Sequence, residues 1–141
     1  MNGIGVLAHG VPTIEDCTIS NNGMEGIVVR DVGTPTVRRC KIEGGAHFGV
    51  GVYERGLGLF EDCEITGTMY GGIAIEDEGS APIVRRCHIR DNDNFGVSSK
   101  LDFGHSCRIT EHLAKVLDQG ARDFNDILPW GRHAKSGCGP A

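Results

Sequence analysis

Residues 35–42 read Pro-Thr-Val-Arg-Arg-Cys-Lys-Ile, and residues 82–89 read Pro-Ile-Val-Arg-Arg-Cys-His-Ile. The cysteine of this phrase recurs at Cys17, Cys40, Cys63, Cys87 and Cys107, at spacings of 23, 23, 24 and 20 residues. A period in the twenties marks one supersecondary unit stacked on the next. Two residues after each cysteine stand Ile19, Ile42, Ile65, Ile89 and Ile109, and three before come Ile14, Val37, Phe60 and Val84. Nine residues downstream a glycine opens an alternating run: Gly26-Ile-Val-Val29, Gly49-Val-Gly-Val52, Gly72-Ile-Ala-Ile75. Gly5-Val-Leu-Ala8 reads as the preceding copy and Gly96-Val-Ser-Ser99 as a weakened last one.

Short alternation bounded by Gly, Asn, Asp and Pro predicts strands of three to five residues joined by turns. Three strands and three turns fill one period, and such a unit buries its apolar side only by stacking. Each strand then pairs in parallel with its counterpart on the adjacent coil. The dense leucines of a leucine-rich repeat are missing, whereas 22 glycines and many β-branched residues suit tight β coils. The fold expected is all-β: a right-handed parallel β-helix of four to five coils over residues 1–109. The charges supply a separate argument. Glu15-Asp16, Arg38-Arg39, Glu61-Asp62 and Arg85-Arg86 precede successive cysteines. Stacked in register they alternate acid and base up one outer corner, which favours that register over a slipped one. Two consecutive outward residues between apolar ones also require the chain to bend there.

After Ile109 the pattern changes. Thr110 is positioned to cap a helix through Leu117, with Leu113, Val116 and Leu117 on one face. Residues 110–128 are accordingly expected to form a helical cap over the last coil, and residues 129–141 a flexible Gly-rich tail. That tail holds Trp130, Arg132 and Cys138, which suit a peptide recognised or modified by another protein.

The net charge of -5 argues against a nucleic-acid partner. With no basic, apolar leader and no long apolar segment, neither a signal peptide nor a membrane span is expected, and the location expected is cytoplasmic. The repeat cysteines are read as a reduced ladder at a narrow inward corner, with β-carbons too far apart for a relaxed disulfide. No Cys-x-x-Cys pair or Cys/His cluster at ligand spacing occurs, so no metal and no cofactor is expected.

The phrase at 35–42 and 82–89, with Gly49-Val-Gly-Val-Tyr-Glu-Arg-Gly56 and Leu59-Phe-Glu-Asp-Cys63, resembles the right-handed β-helix repeats of the pectate-lyase-like superfamily. The repeats of F-box only protein 11 and its bacterial relatives are similar, often with asparagine at the cysteine position. The resemblance covers residues 3–109 and implies the fold. It does not imply an activity, because such repeats serve lyases, epimerases, carbohydrate-binding modules and adaptors alike. The resemblance covers the repeats and not an F-box, so ubiquitin-ligase function is not expected to carry over. The chain opens in mid-coil at Gly3-Ile4-Gly5. A bare parallel edge there is expected to need a second copy or a protein partner.

The alternating strands are expected to turn Leu7 and His9, Val28 and Arg30, Gly51 and Tyr53, and Ala74 and Glu76 outward. His9, Arg30, Tyr53 and Glu76 are the ligand-binding candidates, with the tyrosine stacking on a sugar and the charges hydrogen-bonding to it. Glu54, Glu76, Asp77 and Glu78, beside Arg55, supply enough acid for a polysaccharide lyase, hydrolase or epimerase to be considered. Stacked acids meet by chance in such a fold, however, and His47, His88, His105 and His112 occupy different repeat positions. The primary functional expectation is therefore a non-catalytic binding or scaffold module for a protein or peptide. A carbohydrate-binding or carbohydrate-active protein, and a precursor whose 129–141 tail is the functional part, remain as alternatives.

Overall fold

Each apolar triplet of the repeat forms one short strand. In the computed structural model, which describes residues 1–77, 79–93, 95–99 and 108–109, three parallel sheets run along a solenoid of about four complete turns. The first sheet contains β1 (Ile4–Val6), β4 (Ile27–Val29), β7 (Phe48–Val52), β10 (Gly71–Ile75) and β13 (Phe95–Ser99). The second contains β2 (Thr13–Glu15), β5 (Thr36–Arg38), β8 (Leu59–Glu61), β11 (Ile83–Arg85) and β14 (Arg108–Ile109). The third is built from β3 (Thr18–Ser20), β6 (Lys41–Glu43), β9 (Glu64–Thr66) and β12 (His88–Arg90). All pairings are parallel and in register, such as Val37 with Phe60 and Ile42 with Ile65. The expected cap at 110–128, the tail at 129–141 and Cys107 lie outside the described residues.

The core is a set of columns. Ile27, Val50 and Ile73 stack with Val29, Val52 and Ile75 from the first sheet, Val37, Phe60 and Val84 from the second, and Ile42, Ile65 and Ile89 from the third. Each of these side chains is at most 1 % exposed. Burial of this kind contributes about 1.5–3 kcal/mol per large aliphatic side chain. It is the main force holding one coil on the next.

The bend expected between paired charges is real. Asp16, Arg39, Asp62 and Arg86 all carry a left-handed backbone, with φ between 51 and 56°. A non-glycine residue reaches that region only at some cost, so the coil geometry holds it there. The charge ladder forms as expected. Arg39 Nε donates to Asp16 at 2.8 Å and its Nη2 to Glu15 at 2.7 Å. Glu61, 7 % exposed, accepts from Arg38 on one side and faces Arg85 and Arg86 on the other. Arg86 Nε donates to Asp62 at 2.9 Å.

Glycines form a second column, and it corrects one alignment. Ile4, Gly5 and Val6 pair with Ile27, Val28 and Val29, so the glycine equivalent to Gly26 is Gly3, two residues before the one that the run at 5–8 implies. At Gly3, Gly26, Gly49 and Gly72 an added Cβ would lie 2.5–2.9 Å from the carbonyl oxygen of the next glycine in the column. It would also strike the Cγ2 of Ile19, Ile42, Ile65 or Ile89 at 2.5–2.9 Å. The glycines are there for close approach between the first and third sheets.

Candidate functional site

Three corners join the sheets, and two of them gather chemically distinctive side chains. The first lies between the third and first sheets and continues onto the outer face of the first. Its turns place Met24, His47 and Tyr70 one above another, 23 residues apart, with hydrogen bonds Ala46 N to Asn22 O and Met69 N to Gly45 O fixing the register. The His47 and Tyr70 rings lie 5.2 Å apart between centroids with their planes tilted by 35°, and Phe48 meets both edge-on at 4.5 and 5.1 Å. Met24 and Tyr70 are each 48 % exposed and Met69 is 63 % exposed. An aromatic and thioether ridge thus stands in solvent.

Beside the ridge, Glu25 is only 5 % exposed. Tyr53 Oη donates to its Oε1 at 3.0 Å, and His47 Nδ1 lies 3.1 Å from the same oxygen. Tyr53 reaches it by folding back along its own strand. A Cβ on Gly51 would meet the Tyr53 ring at 2.5–2.7 Å, so the missing side chain is what lets the ring lie against the sheet. Burial, reinforced by the Glu25 carboxylate, pushes the Tyr53 phenol well above its ordinary range. The proton is therefore held on tyrosine beyond the pH at which an ordinary phenol ionises, and the hydrogen bond to Glu25 with it.

The expected ligand column is brought together only in part. The register stacks Leu7, Arg30, Tyr53 and Glu76 at one level, because each follows a residue of the aligned strands. His9 lies two residues further on, level with Val32 and Arg55 in the next turn, and does not join the column. The open apolar face expected beside it is closed: Val28 is 5 % and Ala74 0 % exposed. Arg30 is committed to Glu54, donating from Nε to Oε2 at 3.2 Å and from Nη2 to Oε1. Glu54 also anchors the corner through its backbone N–H, which donates to Asp77 at 3.0 Å. Of the carboxylates that a lyase or hydrolase would draw on here, Glu54 and Asp77 are thus engaged with neighbouring coils. Glu78, His105, His112, Trp130, Arg132 and Cys138 lie outside the described residues.

The second corner lies between the second and third sheets and forms a groove of about 610 Å³. Asp16, Arg39, Asp62 and Arg86 make one bank, Thr18, Lys41, Glu64 and His88 the other, and Cys17, Cys40 and Cys63 the floor. Cys40, Cys63 and Cys87 are buried, at 3, 1 and 0 % exposure, whereas Cys17 is exposed. Cys17 keeps the ladder's contact with the carbonyl two residues before it, Glu15 O at 3.1 Å, but it is exposed where the others are buried. Each buried sulfur also rests against a carbonyl of the coil before it: Ile14 O for Cys40, Val37 O for Cys63 and Phe60 O for Cys87. All four described thiols are free. The Cys87 thiol beside Cys63 draws the latter down to about 7 against the effect of its burial. Cys87 is correspondingly pushed up by Cys63 and by burial. Burial also raises Cys40.

Sequence reasoning passed over Glu25, Met24, Met69 and Tyr70 as site residues. Their signal was the repeat itself: positions 24, 47 and 70 are one register column once the 23-residue period is applied to turns as well as strands. A family model described as Right handed beta helix region matches residues 1–114. No curated protein and no solved structure matches the chain.

Proposed function

The chain belongs to the right-handed β-helix family, and from that premise we propose that it is a non-catalytic binding module that holds a protein or peptide partner. Its phrase Pro-x-Val-Arg-Arg-Cys-x-Ile supports a likeness to the pectate-lyase-like repeats within that family. The observation that carries the function is the exposed Met24–His47–Tyr70 ridge with Met69 beside it. Tyrosine and methionine are enriched at protein interfaces, where they contribute large contact area and adapt to the partner's shape. The rigid solenoid beneath holds them at a fixed coil spacing, so little ordering entropy opposes binding. The engagement of Glu54, Glu61 and Asp62 with arginines supports a binding role over a catalytic one.

The test is the affinity of the partner recovered from the protein's own cells, measured for wild type, Tyr70→Ala and Met69→Ser. The reading expects both variants to fold and to weaken binding at least tenfold, the effect of losing about 1.4 kcal/mol at a hot spot. Unchanged affinity in both would overturn it.

A second reading has an observation of its own. The Tyr53 ring, laid along the sheet over Gly51 and bordered by the Arg30–Glu54 pair, has the shape of a sugar-stacking platform. Under this reading an oligosaccharide binds wild type and loses affinity in Tyr53→Ala, while Tyr70→Ala is unaffected.

A further inference from the structure

Along most of the solenoid the chain neutralises its acids with its own arginines. Arg30 pairs with Glu54, Arg39 with Glu15 and Asp16, Arg86 with Asp62, and Arg90 with Glu64, each from one coil to the next. The ridge departs from that rule. Glu25, 5 % exposed, is met by the Tyr53 hydroxyl and His47 Nδ1, and no arginine or lysine pairs with it among the described residues. A second carboxylate stands at the upper end of the ridge. Ala46 N, Met69 N and Asp93 N donate in turn to Asn22 O, Gly45 O and Thr68 O, which makes 46, 69 and 93 one register column. Asp93 is exposed, and its carboxylate has no hydrogen-bond or ion-pair partner among the described residues. Adjacent coils lie about 4.7–4.9 Å apart, so a group seated on the Tyr70 ring is within reach of Asp93.

We propose that the ridge takes an arginine side chain from a basic segment of the protein or peptide partner. The guanidinium lies on the Tyr70 ring, its fork donates to the Asp93 carboxylate, and its methylenes pack against Met69. The inference rests on the ridge being the binding surface and adds the chemistry of what binds there. Tyr70 remains 48 % exposed although His47 and Phe48 lie against it, so ring surface is open to a cation. A guanidinium is planar, stacks on aromatic faces and pairs with a carboxylate through two parallel N–H groups, which an ammonium does not. The partner's arginine thus gives Asp93 the kind of cation that the chain's own arginines give to the other acids. The net charge of -5 acts in the same direction, drawing a basic segment in and turning an acidic one away.

The test follows the backbone amides of the full chain by NMR as acetyl-Gly-Arg-Gly-amide is added, with the citrulline peptide of the same sequence as its neutral isostere. The arginine peptide is expected to shift the amides of Met69, Tyr70 and Asp93 saturably, and the citrulline peptide to leave them in place. Tyr70→Ala and Asp93→Asn are each expected to weaken the arginine peptide about fivefold, the upper end for an exposed cation–π contact or ion pair. Asp93→Lys is expected to abolish binding. No shift at these positions, equal shifts with citrulline, or unaltered affinity in Asp93→Lys would each overturn the proposal. Comparing the two peptides on wild type requires no variant to fold. The partner recovered from the protein's own cells separates this proposal from the reading beneath it. Weakened binding to Tyr70→Ala with full affinity for Asp93→Lys keeps the ridge as a binding surface and refutes the arginine. Full affinity for both variants refutes both.

Discussion

Replacing Gly49 by alanine adds one methyl group at a place where the coils leave no room for it. The new Cβ would lie 2.5 Å from Ile65 Cγ2, 2.9 Å from Gly72 O and 3.5 Å from Thr68 Cγ2. Gly72 O belongs to the backbone of the next coil, so it cannot turn aside as a side chain would. Ile65 is fully buried among its neighbours and has nowhere to go. Overpacking of this kind costs about 1–3 kcal/mol, and a clash against backbone belongs at the upper end. Restricting the unfolded chain returns about 0.4–1 kcal/mol, leaving a net loss of about 2 kcal/mol. Gly5→Ala is the matched control, since its added Cβ meets only Val28 Cγ1 at 3.7 Å. That change is expected to be neutral, or stabilising by about 0.5 kcal/mol. Urea unfolding followed by far-UV circular dichroism gives both numbers on one scale. If the two variants unfold within about 0.5 kcal/mol of each other, the scatter of ordinary surface substitutions, the glycine column does not set the coil spacing.

Acid should weaken the charge ladder. Arg39 holds Asp16, and Arg86 holds Asp62, below their ordinary values, while burial raises Glu61 but Arg85 and Arg86 together bring it lower. With folded values below unfolded ones, their stabilisation is complete above about pH 4.5 and is lost as pH falls through the lowered folded values; urea midpoints measured from pH 7 to pH 3 should fall, and should fall less in Glu61→Gln. At the alkaline end burial and Glu25 hold the proton on Tyr53 above the ordinary phenol range, so the one phenolate by which wild type differs from Tyr53→Phe should appear at higher pH in the folded chain than in denaturant. Because the unfolded phenol ionises near pH 10, stability should also decline above that pH, and less in Tyr53→Phe. Among Cys17, Cys40, Cys63 and Cys87, a maleimide should modify Cys17 within the mixing time and the buried three only as the solenoid opens, which peptide mapping by mass spectrometry resolves.

The phrase at 35–42 carried the fold because five of its positions have a structural duty that repeats. Val37 and Ile42 point into the core, Arg38 and Arg39 form the ladder and its bend, and Cys40 packs at the corner. The first coil was misaligned because Gly3 and Gly5 both begin plausible runs, and only strand pairing distinguishes them. His9 fell out of the ligand column for the same reason. The outer face was harder to read because alternation assigns a side of the sheet but not its cover. Tyr53 turns back because Gly51 leaves space, and no local pattern records that. Glu25 is satisfied by His47 and Tyr53, 22 and 28 residues later, so its burial is a property of the stack.

The binding role is tested most directly by a photo-activated benzophenone side chain placed at Tyr70, in the chain as expressed in its own cells, with Arg55 on a different corner as the comparison. The account predicts one discrete protein adduct from position 70 and none from position 55. No adduct at position 70, or equal adducts at both positions, would contradict it.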